Sequence, residues 1–355
     1  MNIYVNGRFR AHRITGVQRV AHEITRRLAG YVEVCQPGRN LSGWQGHLWE
    51  QTTLPRRCRN GVLWSPCASG PIASSRQVVT FHDLFVVDSP EWYQKAYASW
   101  YGYSLRKLAR SAKHIIAVSE YTKSRLISSF GVDSGKVTVV YNGVDAAWFS
   151  ASPQAAPAAR ATLQLPSARY LLSVGSLEPR KNLKTLLIAW TKVVNELPAD
   201  LWLVISGACD QNVYRSAGLT QLPPRVFLSG YVQDEWLPGL YAGSLGFVFP
   251  SLAEGFGLPV LEAMASGLPV LTSNTTALPE VCATSALYFD PTNANDLARN
   301  MRLLVRDQNL RQKLSCLSRE QAARFNWERT AEQTLRVLRA IASPTHCLFC
   351  SPSNS

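Results

Sequence analysis

Two glutamates lie eight positions apart in the segment FPSLAEGFGLPVLEAMASGLPV, residues 249–270. Glu254 falls in a glycine-containing turn, and Glu262 falls in the helix predicted after it. A carboxylate can accept two hydroxyl hydrogen bonds at once, so Glu262 suits a ribose diol and Glu254 suits neighbouring hydroxyls of a sugar. The pair indicates a nucleotide-sugar site, with Glu254 as a candidate catalytic residue and Glu262 as a candidate donor-binding residue. The alternative is that Glu262 is only a first-turn acid favoured by the helix dipole.

The backbone between these glutamates has the composition of a strand-to-helix turn. GSLGFVFPS predicts a strand and LPVLEAMASG predicts a helix. Gly255 and Gly257 let the backbone approach a ligand closely, and the N–H groups at the start of the helix suit hydroxyl and phosphate oxygens. Phe256 and Leu258 lie in the same turn, and we count all four as candidate donor-binding residues.

A second segment, SVGSLEPRKN, supplies positive charge through Arg180 and Lys181. A leaving nucleoside diphosphate gains negative charge in the transition state, and fixed cations stabilise it there. We therefore predict a catalytic role for both side chains. The alternative is that each is a surface cation at the start of a helix.

VVTFHDL places His82 and Asp83 at the end of a buried strand, the edge from which α/β sites are built. His82 is predicted to face the site, where its ring can bond a sugar hydroxyl, although a lone histidine is more often structural. Asp83 is expected either to act in the site or to cap a turn.

Short β-branched runs that end in Gly, Pro, Asp or Ser alternate with amphipathic helical stretches along the whole chain. The predicted strands are NIYVNG, GVLWSP, QVVTFHD, HIIAVSE, VTVVYNG, YLLSVGS, LWLVISG, RVFLSG, LGFVFPS and LPVLTS. In GVQRVAHEITRRLAG, the apolar residues Val17, Val20, Ala21, Ile24 and Leu28 form one stripe. Such alternation predicts parallel α/β sheets, and the Ala- and Pro-rich residues 151–167 predict a linker between domains at 1–150 and 168–326.

Composition narrows the class of protein. With 355 residues and 46% apolar content, the chain can bury a sizeable core. Residues 1–150 carry 19 Lys and Arg against 9 Asp and Glu, a basic balance that suits an anionic substrate, an anionic lipid surface or nucleic acid, or is ordinary solvated charge. Neither a secretory signal nor a membrane span is indicated, and eight scattered cysteines favour reduced thiols in the cytoplasm.

The motifs EGFGLP and EAMASGLPV together resemble the signature of the retaining GT-B glycosyltransferases of family 4. The resemblance covers nearly the whole chain, in the order TGVQRVAHEI, FHDL, IIAVSEYTK, VVYNGVD, VGSLEPRKNL, SNTTALPEV and RFNWERTAEQTL. It implies the GT-B fold, in which two Rossmann-like doubly wound domains face each other across a cleft. It also implies a nucleotide-sugar donor against the C-terminal domain and an acceptor against the N-terminal one.

The resemblance implies roles for further residues. His82 would contact the donor sugar and the reaction centre, and Gly16 would lie in the glycine loop near the donor phosphates. Many members have an arginine directly after the strand's glycine, where this chain has Ser176, and Arg180 can substitute for it. The segment 327–343 would form a last helix that crosses back to the N-terminal domain, followed by a tail at 344–355.

We expect neither a metal nor a cofactor, the nucleotide sugar being a cosubstrate. The chain contains no Asp-x-Asp triplet, and His346, Cys347 and Cys350 are too few for a structural zinc site. The resemblance implies retention of configuration, with the acceptor hydroxyl attacking from the leaving-group face. GDP-mannose is the favoured donor, and the expected acceptor is a glycan or a lipid-linked glycan at the inner face of the cytoplasmic membrane, with peripheral contact to an anionic membrane.

Three alternatives to a glycosyltransferase remain at this point. They are a phosphorylase-like enzyme or epimerase on the same fold, a nucleic-acid binder that would explain the net charge of +13, and a catalytically silent nucleotide-sugar sensor. None of them accounts for as much of the chain, and no nucleic-acid partner is expected.

Overall fold

The structure is a computed structural model that describes residues 1–12, 14–38, 41, 43–150, 153–176, 178–207, 215 and 218–343. The predicted tail at 344–355, with His346, Cys347 and Cys350, lies outside the described residues. The chain divides into two compact units, Met1–Gly143 with Asn326–Ser355, and Val144–Phe325.

The first unit is built on a six-stranded sheet in the order β2-β1-β3-β4-β5-β6, with every neighbouring pair parallel. Its strands are β1 (Asn2–Asn6), β2 (Glu33–Cys35), β3 (Gly61–Ser65), β4 (Gln77–Phe81), β5 (His114–Ala117) and β6 (Val137–Val139). Its first five helices are α1 (Gly16–Arg27), α2 (Gly43–Arg57), α3 (Phe85–Asp88), α4 (Lys95–Ser111) and α5 (Glu120–Phe130). Every residue of β3 and β4 is buried, as expected for strands covered by helices on both faces.

The second unit has its own parallel six-stranded sheet, in the order β12-β11-β10-β7-β8-β9. Its helices are α6 (Ala146–Phe149), α7 (Ala156–Leu163), α8 (Leu183–Val193), α9 (Leu237–Ala242), α10 (Leu258–Ala265), α11 (Leu278–Cys282), α12 (Ala294–Arg306) and α13 (Gln308–Ala322). Its strands are β7 (Arg169–Val174), β8 (Leu201–Ser206), β9 (Val226–Gly230), β10 (Gly246–Phe249), β11 (Val270–Ser273) and β12 (Ala286–Phe289).

These two sheets confirm the predicted α/β class and the pair of doubly wound domains. Strands β2 and β12 escaped the sequence analysis, and both lie at sheet edges, where partial exposure replaces the continuous apolar run of a central strand. The predicted stripe of α1 is also observed, since Val20, Ala21 and Ile24 are buried. No described helix is long and apolar enough to cross a bilayer.

The region expected to be a linker, residues 151–167, contains regular structure. Helix α7 occupies Ala156–Leu163, and the division into units falls earlier, between Gly143 and Val144. Proline disrupts a helix in its interior but is tolerated in the first turn, where a backbone N–H would have no partner within the helix. Pro157 lies in the first turn of α7.

The last helix, α14 (Trp327–Ala342), belongs by its contacts to the first unit. It packs against α1, β1 and β3 and buries Trp327, Leu335 and Leu338. The chain therefore begins and ends its described part in the same unit.

Candidate active site

The candidate residues of the second unit lie where the strand order of its sheet reverses direction. Strands β7 and β10 are neighbours there, with β8 and β9 on one side and β11 and β12 on the other. The helices that follow β7 and β10 therefore lie on opposite faces, which leaves a crevice at the carboxyl ends of these two strands. Both predicted motifs begin there, one after Val174 and the other after Phe249.

Lys181, Arg180 and Glu254 come together at this point. Lys181 Nζ donates to Glu254 Oε1 at 2.6 Å, and Arg180 Nη1 donates to the same oxygen at 3.1 Å. Lys181 and Glu254 are buried, and Lys181 Nζ lies 5.0 Å from the centroid of the Phe249 ring. Two cations thus share one carboxylate oxygen in a poorly solvated position.

Polar neighbours hold the carboxylate and the backbone beneath it. Ser251 Oγ donates to Glu254 Oε1 at 2.7 Å, and the Glu254 N–H donates to Thr276 Oγ1 at 3.0 Å. Asn182 Nδ2 donates to the Pro250 carbonyl oxygen at 3.0 Å, which ties the loop after β7 to the loop after β10. Sequence reasoning missed the roles of Ser251 and Thr276, although both are polar residues that closely follow a strand.

The electrostatics of the cluster keep Glu254 ionised. Burial alone would raise the pKa of Glu254, but attraction from Lys181 and Arg180, with hydrogen bonds from Lys181 and Ser251, holds that pKa below its usual value. Burial lowers the pKa of Lys181, and the like charge of Arg180 lowers it further, while Glu254 opposes both effects. The cluster therefore holds an ionised Glu254 against two cations.

Arg180 has a second acidic partner on its own loop. Its Nε donates to Glu178 Oε2 at 2.6 Å, and Ser176 Oγ donates to Glu178 Oε1 at 2.7 Å. Ser176, the position where many family members have arginine, thus supports Arg180 through Glu178. The role of the Glu178 carboxylate was not predicted from the sequence.

The elbow after β10 has the geometry that its sequence predicted. Gly257 precedes α10 with a φ of 101°, and a Cβ placed there would lie 2.9 Å from Leu278 Cδ2, so only glycine fits without strain. Leu258 begins α10, and Gly255 follows Glu254 in the turn. Glu262 lies in α10 and is buried.

Phe256 differs from the other elbow residues, because its ring is part of the core. It is buried and packs edge-on against Phe325, with ring centroids 5.8 Å apart. Any contact of Phe256 with a ligand would therefore come from its backbone rather than its ring.

His82, in the first unit, directly follows β4 and is half-buried. Its Nε2 lies 2.7 Å from the carbonyl oxygen of Pro66, which only accepts, so Nε2 carries the proton and Nδ1 is left as an acceptor. Burial lowers the pKa of His82 to about 4, partly offset by this hydrogen bond, and the ring is neutral at pH 7. A neutral ring suits a hydroxyl partner better than a phosphate.

Asp83 and Gly16 also lie in the first unit. Asp83 Oδ1 accepts from the N–H of Phe85, the turn-capping bond that was one of its two expected roles. Gly16 is the exposed first residue of α1, after Thr15. The structure thus brings Arg180, Lys181, Glu254 and the elbow together in one unit, and it places His82 and Gly16 in the other.

A buried ion pair in the first unit was missed altogether. Arg8 Nη1 donates to Glu50 Oε2 at 2.6 Å, and Asn6 Nδ2 donates to Glu50 Oε1 at 2.7 Å. Ser69 and His47 also contact the Glu50 carboxylate. The group borders a cavity of about 170 Å³ where the strand order of the first sheet reverses, between β1 and β3. No sequence signal joins Arg8 to an acid 42 positions away.

Comparison with known proteins agrees with this geometry. The family model described as glycosyl transferases group 1 matches residues 158–321, and the model described as Glycosyltransferase Family 4 matches residues 58–148. The O-antigen chain mannosyltransferase B of Escherichia coli is 32% identical over 301 residues, covering 83% of this chain and 78% of that protein.

A serotype-specific mannosyltransferase WbdA of Escherichia coli is 30% identical over 267 residues, covering 72% of this chain. The match spans only 32% of that longer protein.

Solved structures share the fold at low identity. Anabaena HepE in complex with UDP superposes with a TM-score of 0.74 at 18% identity, covering 96% of this chain and all of that one. WaaG, a glycosyltransferase involved in lipopolysaccharide biosynthesis, gives a TM-score of 0.73 at 15% identity, with 95% and 99% covered.

Two parallel six-stranded sheets, one with a carboxylate and two cations at its switch point, define a protein of the GT-B glycosyltransferase class. The fold predicted from the sequence is confirmed. The chain belongs to the group 1 glycosyltransferases of family 4, and it is a glycosyltransferase.

Proposed function

We propose that the chain is a retaining mannosyltransferase that moves mannose from GDP-mannose to a hydroxyl of a lipid-linked glycan in O-antigen or related polysaccharide synthesis. The observation that carries the donor half is the convergence of Lys181, Arg180 and Glu254 at the switch point of the second sheet. Mannose and the glycan acceptor are supported by the relatives, among them an O-antigen chain mannosyltransferase 32% identical to this chain.

The charges at the site match the parts of a nucleotide sugar. Lys181 and Arg180 would pair with the diphosphate, while Glu254 would accept hydrogen bonds from sugar hydroxyls and Glu262 from the ribose diol. Glu254 pairs with both cations in this structure and Glu178 pairs with Arg180, so an incoming diphosphate would compete with these carboxylates. Charge developing on the leaving diphosphate would then meet cations already in position.

The transfer step balances without a metal or a cofactor. The acceptor oxygen forms a bond to the anomeric carbon as the bond from that carbon to the diphosphate breaks, and the acceptor proton goes to a phosphate oxygen. Attack from the leaving-group face retains the anomeric configuration. The nucleotide sugar is a cosubstrate, and we expect chelators to leave the rate unchanged.

The test is nucleoside diphosphate release from UDP-, GDP-, dTDP- and ADP-sugars in the presence of a mannan-type acceptor. We expect GDP-mannose to be preferred and both Glu262→Ala and Lys181→Ala to be impaired. Lys184→Ala is the matched control, because Lys184 is an exposed cation on the same segment, in α8. NMR of the glycan product reports whether the anomeric configuration is retained.

Calorimetry on the same samples separates the remaining possibilities. Donor binding without release would indicate either the silent sensor or an enzyme that uses a different acceptor. Binding of none of the four donors would refute the proposal.

A further inference from the structure

The exposed aromatic residues of the described chain concentrate on two helices of the first unit. Trp44 of α2 is 72% exposed, and Trp100 and Tyr103 of α4 are 48% and 51% exposed. Leu48 of α2 and Tyr97 of α4 are exposed as well. Tryptophan is mostly buried in globular proteins, so two on one surface require an explanation.

Helix α4 carries these rings together with a one-sided charge. Its 17 residues include Lys95, Arg106, Lys107 and Arg110 but no acidic residue. Its exposed stripe passes from Tyr97, Trp100 and Tyr103 to Lys107, spaced three or four positions apart, and Lys107 Nζ lies 5.5 Å from the Tyr103 ring centroid. The outer face of α4 is therefore aromatic in its first half and cationic in its second.

Contacts between α2 and α4 join their exposed residues into one surface. His47 of α2 packs edge-on against Trp100, with centroids 6.3 Å apart, and against Tyr101, 5.7 Å apart. Trp44 lies one turn before His47 on α2, and Leu48 lies one turn after Trp44. We call Trp44, Leu48, Tyr97, Trp100, Tyr103 and Lys107 the aromatic-cationic face.

We propose that the aromatic-cationic face docks the first unit onto an anionic lipid bilayer. Trp and Tyr rings have an apolar body and a polar tip, and they favour the boundary between lipid headgroups and acyl chains. Lysine and arginine beside them gain from the negative surface potential of anionic lipids. The protein would lie on the membrane through α2 and α4 and would not span it.

The charge pattern favours this partner over the others that bind aromatic surfaces. A second copy of the chain docked by the same face would bring like charges against α4, and repulsion would oppose that contact. A neutral glycan could accept hydrogen bonds from the cations but would gain no charge-charge attraction from them. A nucleic acid would gain from the charges and from stacking but not from exposed Leu48.

The experiment is co-sedimentation of the full chain with vesicles of phosphatidylcholine alone and of phosphatidylcholine mixed with phosphatidylglycerol. We expect binding to the mixed vesicles that weakens as salt rises. The double variant Trp100→Ser, Tyr103→Ser should lower the partition coefficient about tenfold or more. Lys107→Gln should lower it about fivefold.

Matched controls lie in the second unit. Tyr231→Ser replaces an equally exposed ring, and Lys313→Gln replaces an exposed cation of α13; both should bind vesicles like the native chain. An absence of native binding to mixed vesicles, or equal losses in the control variants, would overturn the proposal. The proposal would also be overturned if the native chain bound a single-stranded oligonucleotide or soluble mannan but not vesicles, and if the face variants lost that binding.

Donor calorimetry keeps this inference separate from the proposed function. The aromatic-cationic face belongs to the first unit and the ion cluster to the second. The face variants should therefore bind GDP-mannose normally. Vesicle binding without donor binding would sink the mannosyltransferase proposal and leave the docking surface standing.

Discussion

At the scale of single residues, Glu254 is the position where charge balance is most demanding. Its Oε1 accepts from Lys181, Arg180 and Ser251, and the carboxylate is buried. Removing one partner of a buried ion pair leaves the other charge uncompensated, which costs about 3–5 kcal/mol. An anionic ligand that reached the same cations would offset that cost.

We predict that Glu254→Gln lowers the free energy of unfolding by about 3 kcal/mol, because buried Lys181 loses its counter-charge, whereas Arg180 retains Glu178. Guanosine diphosphate should restore part of that loss and so stabilise the variant more than the native chain. Denaturant unfolding with and without the nucleotide measures both effects. Glu320→Gln, an exposed acid on α13, is the control. Equal stabilisation of Glu254→Gln and the native chain would show that the nucleotide does not reach these cations.

His82 gives a prediction about pH. Its folded pKa is about 4, below the ordinary value of 6.5, so the unfolded chain binds more protons between these values. Its contribution to stability is therefore complete above pH 6.5 and is lost as pH falls towards 4. His82→Gln should flatten the pH dependence of the free energy of unfolding in that window. If urea denaturation showed the same pH dependence of the free energy of unfolding for the variant and the native chain, the lowered pKa of His82 would be contradicted.

At the scale of elements, the turn between β10 and α10 depends on Gly257. Gly257→Ala would place a Cβ 2.9 Å from Leu278 Cδ2 at a φ of 101°. We expect a loss of roughly 1–2 kcal/mol of stability from backbone strain, with weaker donor binding because the elbow must shift. Gly131→Ala is the control at another positive-φ glycine, with a φ of 66° at the end of α5, because nothing lies near its Cβ. Only the Gly257 variant should lose affinity in donor calorimetry.

Helix α2 is anchored to the end of β1 through the buried pair of Arg8 and Glu50. Burial would raise the pKa of Glu50, but hydrogen bonds with His47, Ser69 and Asn6 and attraction from Arg8 hold that pKa below its usual value. Glu50→Ala should cost about 3–5 kcal/mol of unfolding free energy, whereas the double variant Arg8→Met, Glu50→Leu should cost much less because neither charge remains. Chemical denaturation of the native chain, the single variant and the double variant measures these losses. Equal losses would mean that packing, not charge, fixes α2.

Much of the fold was predictable because the central strands are continuous apolar runs. Strand β3, GVLWS, is fully buried and was found, while the three-residue edge strand β2 was not. The elbow was predictable because Gly257 and Glu262 are close in sequence. The contact between Glu254 and Lys181 required the order of strands, which brings β7 beside β10, and no local pattern encodes that order. The pair of Arg8 and Glu50 was hidden for the same reason.

At the scale of the whole molecule, the chain contains separate hydrophobic cores in its two units. Leu187 of α8 belongs to a core cluster of the second unit. Leu338 of α14 is fully buried in the first unit, against which its helix packs. The chain leaves the first unit and returns to it at α14, so the two units are covalently connected while their hydrophobic cores remain distinct.

We therefore predict that the units unfold as separate cooperative transitions in calorimetry. Leu187→Ala should lower the free energy of unfolding of the second unit and Leu338→Ala that of the first, each by about 2–5 kcal/mol, because each variant leaves a cavity in its own core. Guanosine diphosphate should raise the midpoint temperature of only the transition that Leu187→Ala affects, since a ligand stabilises the unit that binds it. A single transition lowered equally by both variants would show that the two cores fold as one. A nucleotide shift in the Leu338→Ala transition instead would place donor binding in the first unit, and the ion cluster of Lys181 and Glu254 would then need another role.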